Sequence, residues 1–145
     1  MKLEKSYNEE RALFLSIKPE FTEKIFNGTK TIELRKSAPK IYKNTLIIIY
    51  CTSPVMAVLG TCKVDDLILL KPSQLWNEYS NNVGIDKQRY YEYYEGKDLA
   101  VGIKLKDVVK FKKSIPLSEI RLSISNFHPP QTYRYLNKEN LDSIF

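Results

Sequence analysis

A short segment of the chain gathers the residue types that most often carry chemistry. Lys30, Glu33 and Arg35 follow Gly28 within eight residues. On a strand, alternation of side chains would place Glu33 and Arg35 on one face, with their Cα atoms about 7 Å apart. A lysine held near a carboxylate and partly removed from water can bind a phosphate or act as a nucleophile or base. The alternative is a surface ion pair worth at most about 1 kcal/mol.

The elements around this cluster can be assigned from hydrophobic alternation and from proline and glycine. Strands are predicted at 13–18, 30–35, 46–51, 55–70 and 99–111. Helices are predicted at 20–27, 72–79 and 86–95, with a further helical turn at 115–120. Pro19 opens the first helix, and Gly28 stands where that helix ends. The cluster therefore lies at the junction of a helix and a strand.

The composition is that of a folded domain with one hydrophobic core. The chain has 145 residues, of which 43% are hydrophobic and 28% charged, and this excludes collagen-like and disordered classes. Its length predicts a single domain over residues 1–145, with the core at about 13–136. Five or six strands with short helices between them indicate an α+β fold, a small mixed β-barrel with short capping helices.

Positive charge is concentrated toward both ends of the chain. The formal net charge is +6, and no acidic residue occurs between Arg35 and Lys63. A second basic run is interrupted only by Asp107. It comprises Lys104, Lys106, Lys110, Lys112 and Lys113. This pattern is typical of a surface that faces phosphates, although lysines at sheet edges also discourage aggregation.

The cysteines and the single histidine argue against cross-links. Cys51 and Cys62 fall about 20 Å apart along a predicted pair of strands, which is too far for a disulfide. Both are therefore expected to be buried thiols. His128 cannot complete a zinc site with thiols placed in this way. We expect no structural metal.

No segment has the pattern of a membrane helix or a signal peptide. The longest stretch without a formal charge, 44–62, is interrupted by Thr52, Ser53 and Pro54, which fits two strands and a turn. The N-terminal segment carries three acidic residues before its first apolar run, unlike a signal peptide. These features predict a cytoplasmic protein without membrane association, and we expect a monomer.

The tail from 127 to 136 is too rigid and too apolar to be a free terminus. Phe127 and Tyr133 offer aromatic faces, and His128 and Gln131 offer hydrogen-bonding edges. A flipped base that is stacked on an aromatic ring and read along its edge needs this mixture. The alternative is that the aromatic rings only close the barrel. Ser53 is similarly either a turn former or a ligand.

The spacing of Gly28, Lys30, Glu33 and Arg35 matches the G-x-K-x-x-E-x-R motif of ASCH domains, which belong to the PUA-like superfamily. The resemblance covers about residues 13–136. Flanking blocks that are similar to those of bacterial and phage ASCH proteins are Ser16-Ile17-Lys18-Pro19, Ser53-Pro54, Tyr93-Tyr94-Glu95-Gly96-Lys97 and Pro129-Pro130-Gln131. The resemblance implies a PUA-like barrel with a cleft lined by the motif strand.

The resemblance also implies an association with RNA or modified nucleobases without fixing one activity. Some ASCH relatives are amidohydrolases of N4-acetylcytidine, and others are described as metal-dependent ribonucleases. The amidohydrolase pattern keeps the motif lysine and arginine but has a threonine where Glu33 stands here. This departure counts against the amidohydrolase activity.

We expect this chain to bind RNA, another single-stranded nucleic acid or a modified nucleoside in a basic cleft. Lys18, Lys30 and Arg35 are expected to contact phosphate or a base edge. Glu33 would orient Arg35 or accept a base amino group. In the alternative in which the protein is an enzyme, an amidohydrolase or a ribonuclease, Lys30 and Glu33 would be catalytic.

The remaining pocket residues and partners follow from the same interpretation. Gln131 and Tyr133 would complete the pocket, with Ser53 as a further ligand. No cofactor is expected, and only a ribonuclease would need Mg²⁺ or Mn²⁺, held by Glu33 with Asp65 or Asp66. A second alternative is a phage or bacterial protein-interaction module, because the four tyrosines at 90–94 cannot all be core and exposed tyrosines are common at interfaces.

Overall fold

The computed structural model describes residues 11–145. The strands in this range are β1 (Arg11–Ile17), β2 (Ile32–Arg35), β3 (Leu46–Cys51), β4 (Ala57–Leu70), β5 (Ala100–Pro116) and β6 (Tyr133–Asn137). The helices are α1 (Pro19–Phe26), α2 (Pro72–Tyr79), α3 (Lys87–Tyr93), α4 (Leu117–Ser123) and α5 (Lys138–Ile144). None of these helices has the length and hydropathy needed to cross a membrane.

Local sequence explains where the helices begin. Pro19 and Pro72 open α1 and α2, at a position where the missing N–H has no intrahelical partner to lose. The side chain of Asp86 caps α3 by accepting a hydrogen bond from the Arg89 backbone N–H at 2.9 Å. The Arg89 side chain in turn pairs with Glu20 at 2.7 Å, so α3 is tied to the first turn of α1.

The six strands form one mixed sheet in the order β2-β5-β4-β3-β1-β6. Neighbouring strands are antiparallel except β1 and β3, which run parallel. β2 and β6 are therefore edge strands, and no backbone ladder joins them within residues 11–145. The predicted α+β fold of five or six strands with short capping helices is confirmed with six strands. The sheet is barrel-like without being closed by strand pairing.

One face of the sheet carries the inner core. Alternate residues of four strands point to this face. They are Leu13, Leu15, Ile47, Ile49, Cys62, Val64, Val101 and Ile103. Phe21 and Phe26 of α1 pack against them, so α1 belongs to this layer.

Helices cover the opposite face in two separate layers. α4 and α5 pack on β1, β3 and β6 through a cluster that includes Phe14, Tyr50, Leu117 and Phe127. α2 and α3 pack on β2, β4 and β5 through a cluster that includes Ile32, Leu75, Tyr90, Tyr94 and Ala100. Between the two layers, outward side chains in the middle of β4 and β5 remain exposed or half-buried.

The C-terminal part of the chain differs most from the sequence-based prediction. β5 continues to Pro116, past the predicted end at 111, so the helical turn predicted from 115 begins only at Leu117. The aromatic tail contains β6, which pairs with β1 and places Tyr133 opposite Leu15. The prolines at 129 and 130 make this strand hard to recognise from the sequence, because proline is uncommon beside a strand that is hydrogen-bonded in a sheet. The prediction for Cys51 and Cys62 is confirmed, since both are buried and free.

The close approach of β4 and β5 at Gly60 generates a testable prediction. A Cβ atom added to Gly60 would overlap the Val109 carbonyl oxygen and lie 2.9 Å from the Phe26 ring. We therefore expect Gly60→Ala to lower the free energy of unfolding by about 1–3 kcal/mol in urea denaturation. Gly96→Asn is the control, because Gly96 has a φ of +74° with open space around it, and asparagine tolerates that conformation. An unchanged or raised stability of Gly60→Ala would contradict the packing at this position.

Candidate functional site

The motif segment begins at the end of α1. Gly28 has a φ of +85°, a conformation that favours glycine after a helix. The Lys30 N–H donates to the Lys24 carbonyl at 3.0 Å, which turns the chain back along the helix. β2 then pairs with β5 in antiparallel register, with Glu33 opposite Ile103. α1 and β5 together therefore fix the start and the direction of the motif strand.

Glu33 is the centre of a buried group of three charges. Its Oε2 accepts a hydrogen bond from Arg35 Nη2 at 2.6 Å, and its Oε1 lies 3.4 Å from Lys30 Nζ. Lys30, Glu33 and Arg35 are 3%, 6% and 8% exposed. We call these three residues the charge cluster. Glu33 and Arg35 share one face of β2, as alternation predicts, but their burial shows that the alternative of a surface ion pair is wrong.

The carboxylate of Glu33 faces the inner core. Its neighbours along β2, Ile32 and Leu34, belong instead to the layer under α2 and α3. The Cys62 thiol lies in the inner core, and burial, reinforced by the negative charge of Glu33, raises the pKa of this thiol to about 12. Both faces of the motif strand are thus buried, one against helices and one against the inner core.

Arg35 connects the motif strand to the far side of the sheet. Its Nη2 donates to the Ser16 carbonyl of β1, and its Nη1 donates to the Thr132 carbonyl just before β6, both at 3.1 Å. The Ser16 hydroxyl donates to the Pro130 carbonyl at 2.6 Å, which fixes the same tail segment. The third nitrogen of the guanidinium, Nε, is buried without a hydrogen-bond partner among the described residues.

The loop between α2 and α3 covers Lys30. Lys30 Nζ donates to the Val83 carbonyl at 2.7 Å, and the Thr31 and Ile32 N–H groups donate to the Asn82 carbonyl at 2.9 and 3.1 Å. Gly84 packs on the lysine stem so closely that a Cβ there would lie 2.9 Å from the Lys30 Cβ. The loop therefore holds both the backbone and the ammonium of the motif segment.

Burial and pairing act in opposite directions on the pKa values of the charge cluster. Burial lowers the pKa of Lys30 below 10.5, and the nearby Glu33 offsets only part of this effect. Burial also works to raise the pKa of Glu33, but Arg35 and Lys30 outweigh it and hold this pKa below 4.5. Glu33 is consequently ionised at neutral pH, and the Lys30 ammonium gives up its proton more easily than an exposed lysine does.

Two tyrosines of the α3 region support the motif strand from outside. The Tyr94 hydroxyl lies 3.0 Å from the Arg35 carbonyl and 3.3 Å from the Val101 carbonyl, at the end of the β2–β5 pairing. Tyr90 donates to the Pro72 carbonyl at 2.7 Å. Both side chains are buried and lie one helical turn apart, so two of the four tyrosines at 90–94 belong to the hydrophobic core. Tyr91, by contrast, is exposed.

The other predicted site residues lie around the charge cluster rather than in it. Lys18 and Ser53 follow the ends of the parallel strands β1 and β3, and both are exposed. Gln131 is exposed as well, whereas Tyr133 is half-buried against the inner core. None of these four side chains forms a hydrogen bond or an ion pair with the charge cluster within the described residues. They remain predicted binding residues.

The partners that sequence reasoning missed are mostly backbone carbonyls. Ser16, Val83 and Thr132 contribute carbonyl oxygens to the charge cluster, and a carbonyl is present at every residue, so no pattern marks these positions. Tyr94 is different, because it lies in the Tyr93-Tyr94-Glu95-Gly96-Lys97 block. Its place in that block was the only signal that could have identified it.

The donor set of the charge cluster does not fit a divalent cation. One oxygen of Glu33 is occupied by Arg35, and the other faces Lys30. Within the part of the chain that the structure describes, no three residues among histidine, cysteine, aspartate and glutamate are grouped so that they could hold a metal ion. The Oδ1 of Asp66, a predicted ligand, instead accepts a hydrogen bond from the Leu67 N–H at 2.8 Å. No step involving a metal is therefore derived for this chain.

Comparison with protein families and curated sequences gives two matches to ASCH proteins. The sequence model of the ASCH domain matches residues 15–109, which include the whole motif segment. A protein of Zymomonas mobilis subsp. mobilis named ASCH domain-containing ribonuclease is 31% identical over 130 residues, which cover 90% of this chain and 87% of that protein.

Solved structures show the same similarity in three dimensions. A crystal structure of ASCH from Zymomonas mobilis matches with a TM-score of 0.86 and 30% identity, covering 91% of this chain and 92% of that chain. The N-terminal domain of McrB from Staphylothermus marinus matches with a TM-score of 0.61 over 92% of each chain. At 13% identity, the McrB match shows a shared fold alone.

Replacement of the bridging guanidinium tests its structural role. Arg35→Lys keeps the charge but cannot reach Glu33 and two carbonyls at once. We expect the free energy of unfolding to fall by roughly 2 kcal/mol or more, because each buried acceptor left unsatisfied costs about 1–3 kcal/mol. The measurement is urea denaturation with Arg89→Lys as the control, since Arg89 is also paired with a carboxylate but is exposed. Equal effects of the two substitutions would contradict a special role for Arg35.

The ionisation of Glu33 predicts a pH dependence of stability. Its pKa is lowered in the folded state, so its stabilising contribution is present above the unfolded value near 4.5 and is lost as the pH falls through the lowered pKa. Glu33→Gln should cost about 3–5 kcal/mol at pH 7, because two buried cations lose their counter-ion. The difference from the wild type should shrink below about pH 4.5. Denaturation curves from pH 3 to 8 measure it, and a difference that stays constant would show that Glu33 is not the titrating group.

Proposed function

Because this chain belongs to the ASCH domain family, we propose that it acts on RNA, binding single-stranded RNA beside the charge cluster and cleaving it. The observation that carries the proposal is similarity along most of the chain to a protein named as a ribonuclease, at 31% identity over 130 residues. The family match spans the motif segment, so the charge cluster lies within the shared region.

The distribution of charge supports an anionic substrate. The chain has a formal net charge of +6, and electrostatic attraction to phosphates is the main source of affinity in nucleic-acid binding. The charge cluster holds two cations for one carboxylate, so it retains a net positive charge in a poorly hydrated position. A phosphate beside the cluster would balance this charge, and attraction is stronger there than in water.

Lys30 is the member of the cluster best suited to act in cleavage. Its ammonium has three donors, of which Val83 and Glu33 occupy two. The third has no hydrogen-bond partner within residues 11–145 and would donate to a phosphate oxygen. Negative charge increases on the phosphate oxygens during cleavage, and a pre-positioned donor stabilises this charge. Glu33 holds the ammonium in place. Arg35 has a structural role, because its hydrogen bonds go to Glu33 and to backbone carbonyls.

Binding without cleavage is the second candidate function, and the burial of Lys30 favours it. Only 3% of this residue is exposed, which restricts contact with a phosphate to a small part of its surface. In this case RNA or a modified nucleoside would be held mainly by residues around the cluster. These are the predicted binding residues Lys18, Ser53, Gln131 and Tyr133.

The variant Lys30→Met distinguishes the two candidates. With a labelled 20-nucleotide single-stranded RNA, we expect its cleavage rate to fall by about 100-fold or more, the usual effect of removing one donor that stabilises a transition state. Affinity for the same RNA should change much less, because other cations contact the remaining phosphates. The control is Lys97→Met, at an exposed position four residues after the end of α3, which should cleave at the wild-type rate. Circular dichroism verifies that all three proteins are folded.

Each result of this experiment has a defined meaning. Cleavage that persists in Lys30→Met would place the catalytic centre elsewhere. Binding without cleavage by the wild type, with and without EDTA, would support the second candidate. Absence of RNA binding at low salt would contradict RNA cleavage and would leave only a modified nucleoside as the ligand of the second candidate.

A further inference from the structure

Three lysines cross the outer face of the sheet between the two helical layers. Lys104 and Lys106 alternate along β5 with residues of the inner core, and Lys63 does the same along β4. Their side chains therefore point away from the inner core. Lys63 is exposed, and the other two are half-buried. We call these three residues the basic strip.

The basic strip contains a repulsive pair. Lys63 and Lys106 are direct partners in the β4–β5 ladder, and side chains at such positions have Cβ atoms about 4.5–5.5 Å apart, where like charges destabilise a sheet. Neither lysine forms an ion pair with a residue in the 11–145 range. The fold thus keeps an unfavourable arrangement that a bound polyanion would relieve.

Lys104 extends the basic strip toward the motif strand. It lies opposite Ile32 of β2, and the next residue, Leu105, donates its N–H to the Thr31 carbonyl at 2.9 Å. On its other side Lys104 is the register partner of Asp66 of β4, and its Nζ lies 5.8 Å from the centre of the Tyr79 ring. In the order Lys63, Lys106 and Lys104, the strip therefore runs along the outer face toward the start of the motif strand.

We propose that the basic strip binds the phosphate backbone of single-stranded RNA on the outer face of the sheet, while another part of the same strand lies beside the charge cluster. This inference rests on the proposed function and adds a second contact region, on the opposite face of the sheet from Glu33 and Arg35. The strip offers only ammonium groups, so it contacts phosphates and reads neither base nor sugar. RNA and DNA strands of equal length therefore gain the same affinity from it.

A pair of charge-matched double variants tests the basic strip. Lys63→Gln/Lys106→Gln removes its repulsive pair, and Lys87→Gln/Lys97→Gln removes two exposed lysines from the α3 side. Affinity for a labelled 20-nucleotide uridine oligomer is measured over a range of salt concentrations. Each lost phosphate contact lowers the slope of log K against log salt by about 0.7 for a single strand. The strip variant loses two contacts, so the slope of log K against log salt should fall by about 1.4. If the two proteins bind equally at about 1 M salt, this corresponds to about 25-fold weaker binding at 0.1 M salt.

Further measurements show that the effect is local. The strip variant should keep the wild-type cleavage rate on a dinucleotide, which spans only the charge cluster. Its melting temperature should be equal to or above that of the wild type, because the repulsion has been removed. A deoxyuridine oligomer of the same length should show the same loss of slope.

The outcomes separate this inference from the function on which it rests. If the wild type binds RNA and the strip variant keeps the wild-type slope, the strip is overturned and the proposed function stands. If both double variants lose the same slope, only net charge matters, and the strip is again overturned. If the wild type does not bind RNA at low salt, both proposals fail.

Discussion

The guanidinium of Arg35 joins two regions that the backbone ladder leaves apart. β2 lies at one edge of the sheet, whereas β6 lies at the other edge with β1 beside it. The hydrogen bonds of Arg35 to the Ser16 and Thr132 carbonyls connect these regions. These hydrogen bonds are charge-assisted, which makes them stronger than those between neutral groups. In a closed barrel, backbone hydrogen bonds between strands would join these two regions, whereas here a side chain joins them. Because this guanidinium is buried, its charge must be balanced by other groups of the protein, and this requirement explains the rest of the charge cluster.

A buried guanidinium needs a counter-ion, and Glu33 supplies it from the same strand. Two residues apart on β2, these side chains point the same way, so their pairing requires no distant element to be placed accurately. Lys30 adds a second cation on the other carboxylate oxygen, which leaves the group net positive. The structural and chemical uses of the motif are therefore linked. Burial is the largest cause of the lowered pKa of Lys30, and the positive charge of Arg35, which holds the sheet together, lowers this pKa further.

Sequence patterns were informative about neighbours along the chain and poor at showing contacts across the sheet. Alternation placed Glu33 and Arg35 on one face, and Pro19 and Gly28 marked the ends of α1. The apolar residues of the strand, Ile32 and Leu34, mark only one of its two faces as a core face. In the curled sheet, however, the other face of the strand is buried too, and this depends on the packing of all six strands. β6 could not be recognised for a related reason, since its partner β1 is more than 100 residues away and two prolines precede it.

The loop over Lys30 acts through its main chain. Asn82, Val83 and Gly84 present three successive carbonyl oxygens, which accept hydrogen bonds from the motif backbone, from Lys30 Nζ and from Lys24 Nζ. The side chains of this loop have other partners, because Val83 is fully buried in the layer under α2 and α3 and the Asn82 amide donates to the Thr31 hydroxyl at 3.2 Å. The length of the loop is constrained as well, because one inserted or deleted residue would move every carbonyl away from its donor. The alignment of these carbonyls therefore depends on the number of residues between α2 and α3.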